Sequence, residues 1–299
     1  MLSTTENAAS YFVDRHLTEG RGEKTAYREA VTGRELTYQQ LFDGSARVAG
    51  ALMRAGVRPE ERAAMLMLDT LEFPQVFFGA LKAGAVPVPI NTLLAAPVYD
   101  AILRDSWAAI LFVSGPLYET VKPVLHDNPY IRKVVIIGDA AEGSGTAFTE
   151  FVADTEALPT CAVSADEVAF WLYSSGAAGQ PKGVQHVHSS MKSTADTYSA
   201  HVLNLSEQDT VFSAAKLFFA YGLGNAMTFP LAVGATIVLF AGRPTPTDMI
   251  DVLQTENPTV FCGVPTLYAA MVAEKDKAGP PRAQLRRCIS AGEALPEDV

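Results

Sequence analysis

One stretch of the chain, residues 173–188, has the residue types and spacing needed to bind a polyphosphate. Two of its glycines lie three residues apart, so the backbone there can approach a ligand closely and adopt angles that other residues avoid. Consecutive amide groups in such a turn can surround an anion, two serine hydroxyls can donate hydrogen bonds, and a lysine adds positive charge. These residues are Ser174, Ser175, Gly176, Gly179 and Lys182.

The residues around the lysine differ from the P-loop of nucleotide triphosphatases. A P-loop has Gly immediately before Lys and Ser or Thr after it, and it opens a helix. Here Pro181 precedes Lys182 and Gly183 follows it. Residues 168–173 are an apolar run typical of a buried strand, and residues 184–188 are predicted to form a second strand. The loop is therefore predicted to join strand to strand.

The motif Ser-Ser-Gly-x-x-Gly-x-Pro-Lys-Gly-Val resembles the phosphate-binding loop of the adenylate-forming superfamily. That superfamily includes acyl-CoA synthetases, peptide-synthetase adenylation domains and luciferases. The resemblance implies that Lys182 is a catalytic residue that stabilises the phosphates of ATP. It also implies a set of ATP-binding residues, which are Ser174, Ser175, Gly176, Ala177, Ala178, Gly179, Lys182 and Gly183.

Two positions of this loop depart from the family pattern. Family members usually carry hydroxyl residues where this chain has Ala177 and Ala178, and those hydroxyls help to hold the β- and γ-phosphates. Losing a hydrogen bond to a charged group costs ~1.5–3 kcal/mol. We therefore expect weakened ATP binding, with the backbone amides and Lys182 still available.

An aromatic segment at residues 216–225 crowds three aromatic side chains against small residues. Alone, such a cluster would be an ordinary turn in the core. However, Phe-Phe-Ala-Tyr-Gly-Leu-Gly-Asn resembles the acyl pocket of benzoate-CoA ligases, and small residues beside aromatic ones make a slot suited to a planar ring. The resemblance implies that Phe219 gates the slot and that Ala220, Tyr221 and Gly222 line it.

A third segment, residues 290–296, follows a predicted strand, and ligands of open α/β sheets bind beyond the carboxyl ends of the strands. By itself it could be any strand-to-helix turn. It resembles the family segment that contacts adenine and the acyl carboxylate, and residues 263–268 also match the benzoate-ligase pattern. The ATP-binding residues implied here are Ser290, Ala291, Gly292 and Glu293.

Apolar strands that alternate with amphipathic helices would position these segments. A capping box at Thr37 opens one helix and Thr245 caps another. The alternation predicts an α/β fold whose mainly parallel sheets are covered by helices, and the resemblance implies the large N-terminal domain of an adenylate-forming enzyme, incomplete here. A polar joint suggests two α/β subdomains: residues 1–140, and residues 141–299 with the phosphate loop and the acyl pocket.

Composition limits the partners and the compartment. The 299 residues are 48% hydrophobic and 19% charged with a net charge of −10, which argues against a nucleic-acid partner. The most apolar stretch, residues 226–242, is interrupted by Pro230 and Gly234 and is shorter than a membrane span. The N-terminus lacks the pattern of a signal peptide, so we expect a cytoplasmic protein without a membrane partner.

The cysteines and histidines give little indication of a metal or disulfide site. Cys161, Cys262 and Cys288 lack ligand spacing and are predicted to be three buried thiols in a reducing compartment. His186 and His188 alternate and would share one face of a strand, but no third ligand is near in the sequence. We therefore expect no metal ligand within these residues.

The last residues, 295–299, look like the start of a helix, with proline and acidic residues in the first turn. Because one turn cannot sustain itself, we expect the N-terminal fragment of a longer protein. The resemblance implies that a Mg²⁺-binding glutamate, a ribose-binding aspartate and a small domain with a catalytic lysine follow downstream of Val299. The fragment alone is then expected to be inactive.

Together these features predict part of an aryl-CoA ligase of benzoate-CoA ligase type, which would serve aromatic degradation. Such an enzyme uses ATP and Mg²⁺ to join an aromatic acid to AMP, and then transfers the acyl group to the co-substrate CoA. Another acyl- or fatty-acid-CoA ligase and a non-catalytic remnant that binds a nucleotide or an aryl acid remain alternatives. The ring substituents and a homo-oligomeric state are also left open.

Overall fold

The computed structural model describes residues 6–139, 143–175, 181–274 and 284–297. Within those ranges no helix combines the length and the apolar character needed to cross a membrane. The Ser175 side chain is not described.

Strands and helices alternate along the chain. In order, the strands are β1 (Thr25–Glu29), β2 (Glu35–Thr37), β3 (Arg62–Leu66), β4 (Val86–Pro89), β5 (Ala108–Ser114), β6 (Lys133–Ile137), β7 (Thr146–Ala147), β8 (Val168–Ser175), β9 (Pro181–Val187), β10 (Thr210–Ser213), β11 (Thr236–Leu239), β12 (Val260–Gly263) and β13 (Arg287–Ser290). The helices are α1 (Arg15–Thr18), α2 (Tyr38–Arg54), α3 (Glu72–Lys82), α4 (Ala96–Asp105), α5 (Tyr118–Leu125), α6 (Phe148–Val152), α7 (His188–Thr194), α8 (Ala220–Leu223), α9 (Phe229–Val233), α10 (Pro246–Glu256) and α11 (Pro265–Ala273).

The helices begin and end where local sequence signals place them. The capping box at Thr37 is followed directly by α2, and the chain turns beyond it at Gly56, whose φ is +77°. Thr245 caps α10 by accepting a hydrogen bond from the Asp248 amide at 3.2 Å, with Pro246 in the first turn. Both predicted helix starts are therefore confirmed.

The chain forms two compact units whose segments are interleaved. The first unit contains the residues up to Thr18, Gln39–Leu68 and Glu72–Lys192. The second contains Glu19–Tyr38, Asp69–Leu71 and the residues from Ser193 onward. The predicted subdomains, residues 1–140 and 141–299, stay a prediction.

The first unit is built on a parallel sheet with the strand order β4-β3-β5-β6-β7. All seven residues of β5 are buried, as expected for a central strand covered on both faces. A separate antiparallel hairpin, β8–β9, belongs to the same unit. Its Trp171 and Tyr173 side chains pack against the apolar core that α4 and α5 form with the sheet.

The second unit is built on a sheet with the order β13-β12-β10-β11-β1-β2. Its neighbouring strands are parallel except for the antiparallel pair β1–β2. Side chains of α10 and α11 pack with those of the sheet in one apolar core, which includes Phe212, Met249 and Phe261. The predicted α/β class with mainly parallel, helix-covered sheets is thus confirmed in both units.

Three local expectations were wrong. Only Cys262 of the three cysteines is buried, because Cys288 is exposed on the edge strand β13 and Cys161 is half-buried. His186 and His188 do not share a strand face, because β9 ends at Val187 and His188 begins α7. No helix is present in the described residues 291–297, since capping residues alone do not nucleate a turn.

His188 joins the start of α7 to the N-terminal segment of the first unit. Its side chain is 4% exposed, and its Nδ1 atom accepts a hydrogen bond from the Ala8 amide at 3.0 Å. Burial lowers the pKa of His188 from 6.5 to about 4, against a smaller opposing effect of Glu167. His188 is therefore a neutral imidazole in the folded protein. A proton on Nδ1 would remove the acceptor of the Ala8 hydrogen bond.

We expect His188 to make the first unit sensitive to acid. A folded-state pKa below the unfolded value contributes stability above pH 6.5, and this contribution is lost as the pH falls from 6.5 to about 4. The loss is at most about 3 kcal/mol. Urea unfolding at a series of pH values should show this slope in the wild type and a flatter one in His188→Asn, which keeps an acceptor. His126→Asn at an exposed histidine is the control, and equal slopes in His188→Asn and the wild type would contradict the assignment.

Candidate functional site

The segments expected to bind the acid and adenine follow three neighbouring parallel strands of the second unit. Residues 219–222 follow β10, residues 264–268 follow β12, and residues 291–293 follow β13. Because β10, β12 and β13 are adjacent and parallel, their carboxyl ends lie at the same edge of the sheet. That edge is where open α/β sheets bind ligands.

Tyr221 connects these three strand ends. Its hydroxyl lies 3.1 Å from the carbonyl oxygen of Gly263 and 3.2 Å from that of Ile289, and it can donate its proton to either. Burial raises the pKa of Tyr221 far above its usual value, so the hydroxyl remains a donor. The side chain of Tyr221 is therefore fixed between the ends of β12 and β13.

The residues around Tyr221 differ in the room they leave for a side chain. A Cβ atom at Gly222 would overlap the carbonyl oxygen of Lys216 and lie 2.5 Å from that of Ala215, so only glycine fits there. Phe219 is 45% exposed and Ala220 is also exposed. Gly222 thus lies in a closely packed part of the segment, whereas Phe219 and Ala220 lie in an exposed part.

The segment after β13 also needs a glycine. Gly292 has a φ of +96°, a backbone conformation that side chains disfavour, and no atom lies within 4 Å of its hypothetical Cβ. The hydroxyl oxygen of Ser290 is buried and has no hydrogen-bond partner among the described residues. Glu293 is exposed. Ser290 and Gly292 therefore make this turn a candidate part of a binding site.

The predicted phosphate loop lies between the two strands of the hairpin in the first unit. Ser174 pairs with Lys182 and Ser175 with Pro181, so the predicted strand-loop-strand arrangement is confirmed, with β9 beginning earlier than expected. The loop positions Gly176, Ala177, Ala178 and Gly179 lie outside the described residues. Lys182 is exposed, and in the described part of the chain its ammonium group has no ion-pair partner. It is therefore available to an anion.

The base of the hairpin is held by two aromatic side chains. Tyr173 donates a hydrogen bond from its hydroxyl to Asp105 at 2.6 Å, at the end of α4. A Cβ atom at Gly183 would lie 3.0 Å from the Trp171 ring and 3.2 Å from the Tyr173 ring. Gly183 thus allows β9 to lie flat across both rings, which fixes the direction in which the neighbouring Lys182 leaves the strand.

The two histidines after the loop have structural environments. The rings of His186 and Phe170 stack with their centroids 4.5 Å apart and their planes 5° from parallel. His188 accepts the hydrogen bond from Ala8 already described. Among the residues that the structure describes, no group of three or more His, Cys, Asp or Glu side chains is placed to hold a metal ion.

A comparison with protein families agrees with this arrangement. The family described as AMP-binding enzyme matches residues 14–299. The chain belongs to the AMP-binding enzyme family. The hairpin loop and the three strand-end segments all lie within the matched residues.

Curated relatives of this chain have the names of ligases of aromatic acids. A benzoate–CoA ligase from Thauera aromatica is 45% identical over 295 residues, which are 98% of this chain and 55% of that protein. A 4-hydroxybenzoate–CoA/benzoate–CoA ligase from Rhodopseudomonas palustris is 44% identical over 98% of this chain and 54% of that protein. The chain spans about half the length of the curated relatives it matches.

Solved structures of two ligases share the fold of this chain. The anthranilate CoA ligase AuaEII, in complex with anthranoyl-AMP, superposes with a TM-score of 0.94 at 35% identity, covering 99% of this chain and 57% of that one. A benzoate CoA ligase from Burkholderia xenovorans LB400 gives a TM-score of 0.86 at 41% identity, covering 98% and 57%. The predicted fold is therefore confirmed as that of an adenylate-forming ligase's N-terminal portion.

The sequence did not predict a role for several residues that hold the strand ends and the hairpin of the candidate site. Tyr268 donates a hydrogen bond to the Ile289 carbonyl at 2.9 Å and so helps Tyr221 to join β12 to β13. Its position in the 263–268 motif was a usable signal. Asp105 gave none, because its contact with Tyr173 joins residues that are far apart in the chain.

We expect Gly183→Ala to destabilise the hairpin. The new methyl group would press on the Trp171 and Tyr173 rings, and overpacking of this kind costs ~1–3 kcal/mol. Urea unfolding measures the loss. Val184→Ala, at a 45% exposed neighbour on the same strand, is the control and should change the free energy of unfolding little. Equal stabilities of the two variants would show that the rings give way without cost.

Proposed function

We propose that the protein containing this chain is an aryl-CoA ligase of benzoate-CoA ligase type, located in the cytoplasm. The carboxylate of an aromatic acid would attack the α-phosphorus of ATP, forming an acyl-adenylate and releasing pyrophosphate. The CoA thiol would then attack the acyl carbon, lose its proton, and release AMP as the thioester forms. Family membership, with identities of 45% and 44% to ligases that have benzoate in their names, supports this reaction.

The observation that carries the proposal is the placement of Tyr221. Its hydroxyl contacts the carbonyl oxygens at the ends of β12 and β13. One side chain of the proposed acid slot thereby touches the segment that leads to the proposed ATP-binding residues 290–293. A carboxylate held beside this edge would be near both segments, and such proximity accelerates a reaction between two bound substrates.

The acid slot is proposed to consist of Phe219, Ala220, Tyr221 and Gly222. The Tyr221 ring is a rigid wall, and Gly222 allows the Lys216 carbonyl oxygen to pack closely behind it. The small methyl group of the exposed Ala220 leaves room for a flat ring. The 45% exposed ring of Phe219 suits a gate.

Binding of the ATP phosphates is assigned to the hairpin loop. The residues proposed to bind the phosphates are Ser174, Ser175, Gly176, Ala177, Ala178, Gly179, Lys182 and Gly183. A separate set at the end of β13 is proposed to bind ATP at its adenine: Ser290, Ala291, Gly292 and Glu293. The exposed Lys182 ammonium, without an ion-pair partner in the described residues, would stabilise negative charge on the departing pyrophosphate.

Mg²⁺ belongs to the proposed reaction, but the described residues do not form a site for it. Because they contain no cluster of three or more candidate ligands, no step is assigned to the metal. The metal would supply positive charge to the phosphates. The proposed partners are thus an aromatic acid, ATP and CoA, without nucleic acid or membrane.

The proposal predicts benzoate-dependent exchange of pyrophosphate into ATP by the full-length protein. Ala220→Phe should abolish this exchange with benzoate, because the added ring fills the slot, and should leave the melting curve unchanged. Val202→Phe, at a 53% exposed position of the same unit, is the matched control and should retain the exchange. Normal benzoate exchange in folded Ala220→Phe would refute the slot. Absence of exchange in the wild type with any aromatic acid would refute the ligase.

The loop alanines test whether positions 177 and 178 face the phosphates of ATP. We expect Ala177→Ser combined with Ala178→Thr to tighten ATP binding by about tenfold or more, because each new hydroxyl can donate a hydrogen bond to a charged phosphate. Titration calorimetry on the full-length protein measures the dissociation constant. Ala153→Ser, at an exposed site elsewhere in the first unit, should leave it unchanged. Unchanged or weaker binding in the double variant would show that these positions do not face phosphate.

A further inference from the structure

The buried carboxylate of Asp69 lies beside the aromatic segment of the second unit, close to Lys216, whose side chain is 14% exposed. Asp69 is 3% exposed, and its two carboxylate oxygens accept the Leu217 amide at 3.3 and 3.4 Å. The Lys216 ammonium lies 3.9 Å from Asp69 Oδ2 and donates a hydrogen bond to the carbonyl oxygen of Phe240. It also lies 5.2 Å from the centre of the Phe240 ring. The pair therefore joins the 69–71 segment, the aromatic segment and the end of β11.

The backbone that this pair holds is the surface on which the proposed acid slot rests. The carbonyl oxygen of Lys216 accepts the Phe219 amide at 3.0 Å. The same oxygen occupies the space where a side chain at Gly222 would be. A displacement of the peptide between Lys216 and Leu217 would therefore move both ends of the slot.

Stability alone does not explain a buried ion pair of this kind. Removing two charges from water costs several kcal/mol per ion, and apolar residues of similar volume are often as stabilising. Burial raises the pKa of Asp69 to about 6, while the Lys216 ammonium and the Leu217 amide act in the opposite direction. Burial also lowers the pKa of Lys216, against the effect of Asp69. Burial thus opposes charge on both groups, and Asp69 loses its charge as the pH falls below about 6.

We propose that Asp69 and Lys216 are positioning residues for the aryl-acid slot: their contacts hold the Lys216–Leu217 backbone so that Phe219, Tyr221 and Gly222 keep the shape that accepts a planar acid. The role of the slot rests on the proposed function, whereas the mechanical role of the pair does not. The acid should consequently bind best above the pH at which Asp69 ionises.

Hydrogen exchange in the full-length protein tests the mechanical role without a substrate. Asp69→Asn keeps the size and one acceptor but removes the charge, so amides in residues 217–223 should exchange about tenfold faster relative to β10 and β11. Asp209→Asn is the matched control, because Asp209 is a 4% exposed carboxylate of the same unit that pairs with Arg286 and not with the aromatic segment. It should accelerate exchange throughout the unit without singling out residues 217–223. Equal patterns in the two variants would overturn the proposal.

Substrate kinetics test the effect on the slot. In Asp69→Asn the KM for benzoate should rise about tenfold while the KM for ATP is unchanged. The wild type should lose kcat/KM for benzoate as the pH falls through about 6, and Asp69→Asn should lack this limb. An unchanged benzoate KM beside selectively faster exchange would overturn the link to the acid. Wild-type protein that activates no aromatic acid would refute the proposed function instead, and the exchange result would still decide the mechanical role.

A double variant separates positioning from simple destabilisation. Lys216→Met alone leaves the Asp69 carboxylate buried without its ammonium partner, and should lower the melting temperature and raise the benzoate KM. In Asp69→Asn combined with Lys216→Met no buried charge remains, so the melting temperature should return toward that of the wild type. The KM should stay about tenfold raised, because the charge on the acceptor of the Leu217 amide and the Lys216 contact with Phe240 are still missing. Recovery of the KM together with the melting temperature would overturn the positioning role.

Discussion

The register of the parallel strands β10, β12 and β13 determines where the functional segments of the second unit meet. Ser213 lies opposite Cys262, which lies opposite Ile289, and Gly263 lies opposite Ser290. A shift of one residue along β13 would move the Ile289 carbonyl by about 3.3 Å. The Tyr221 hydroxyl could then no longer reach Gly263 and Ile289 at hydrogen-bond distance from one position. The register of these strands therefore also determines the geometry of the candidate site in this unit.

Two buried aspartates in the same unit show how different partners give a carboxylate different roles. Burial acts to raise the pKa of Asp209, but hydrogen bonds from Arg286 and Thr259 outweigh it and hold the pKa far below its usual range. That carboxylate joins the starts of β10, β12 and β13. Asp69 receives one amide at 3.3 and 3.4 Å and lies 3.9 Å from an ammonium group, so its charge is poorly compensated. The presence of the Asp69 carboxylate is therefore better explained by the backbone that it positions than by a contribution to the stability of the fold.

The sequence predicted the parts of the fold that local signals control. A helix follows the capping box at Thr37, and Thr245 caps α10, both as expected. The interleaved units were not predicted, because β1 joins the second unit by pairing with β11, and nothing near β1 in the sequence indicates that partner. The exposure of Cys288 likewise depends on β13 lying at the edge of the sheet.

For the candidate site, too, the sequence predicted some residues and not others. Motif resemblance pointed to Tyr221 and Lys182, whereas Asp69 and Lys216 gave only the weak signal of single charges within apolar sequence. Their significance depends on a contact between two distant segments. Resemblance identifies residues that would touch ligands, and three-dimensional contacts are needed to find the residues that hold those in place.

The backbone carbonyls beside Gly222 also restrict how the slot could be re-engineered. Position 222 accepts no side chain, and position 221 is tied to two strands, so neither can vary without disturbing the sheet edge. Positions 219 and 220 are exposed, and neither of these two restrictions applies to them. A mutant library aimed at acids of a different shape should concentrate its diversity at those two codons and leave the next two untouched.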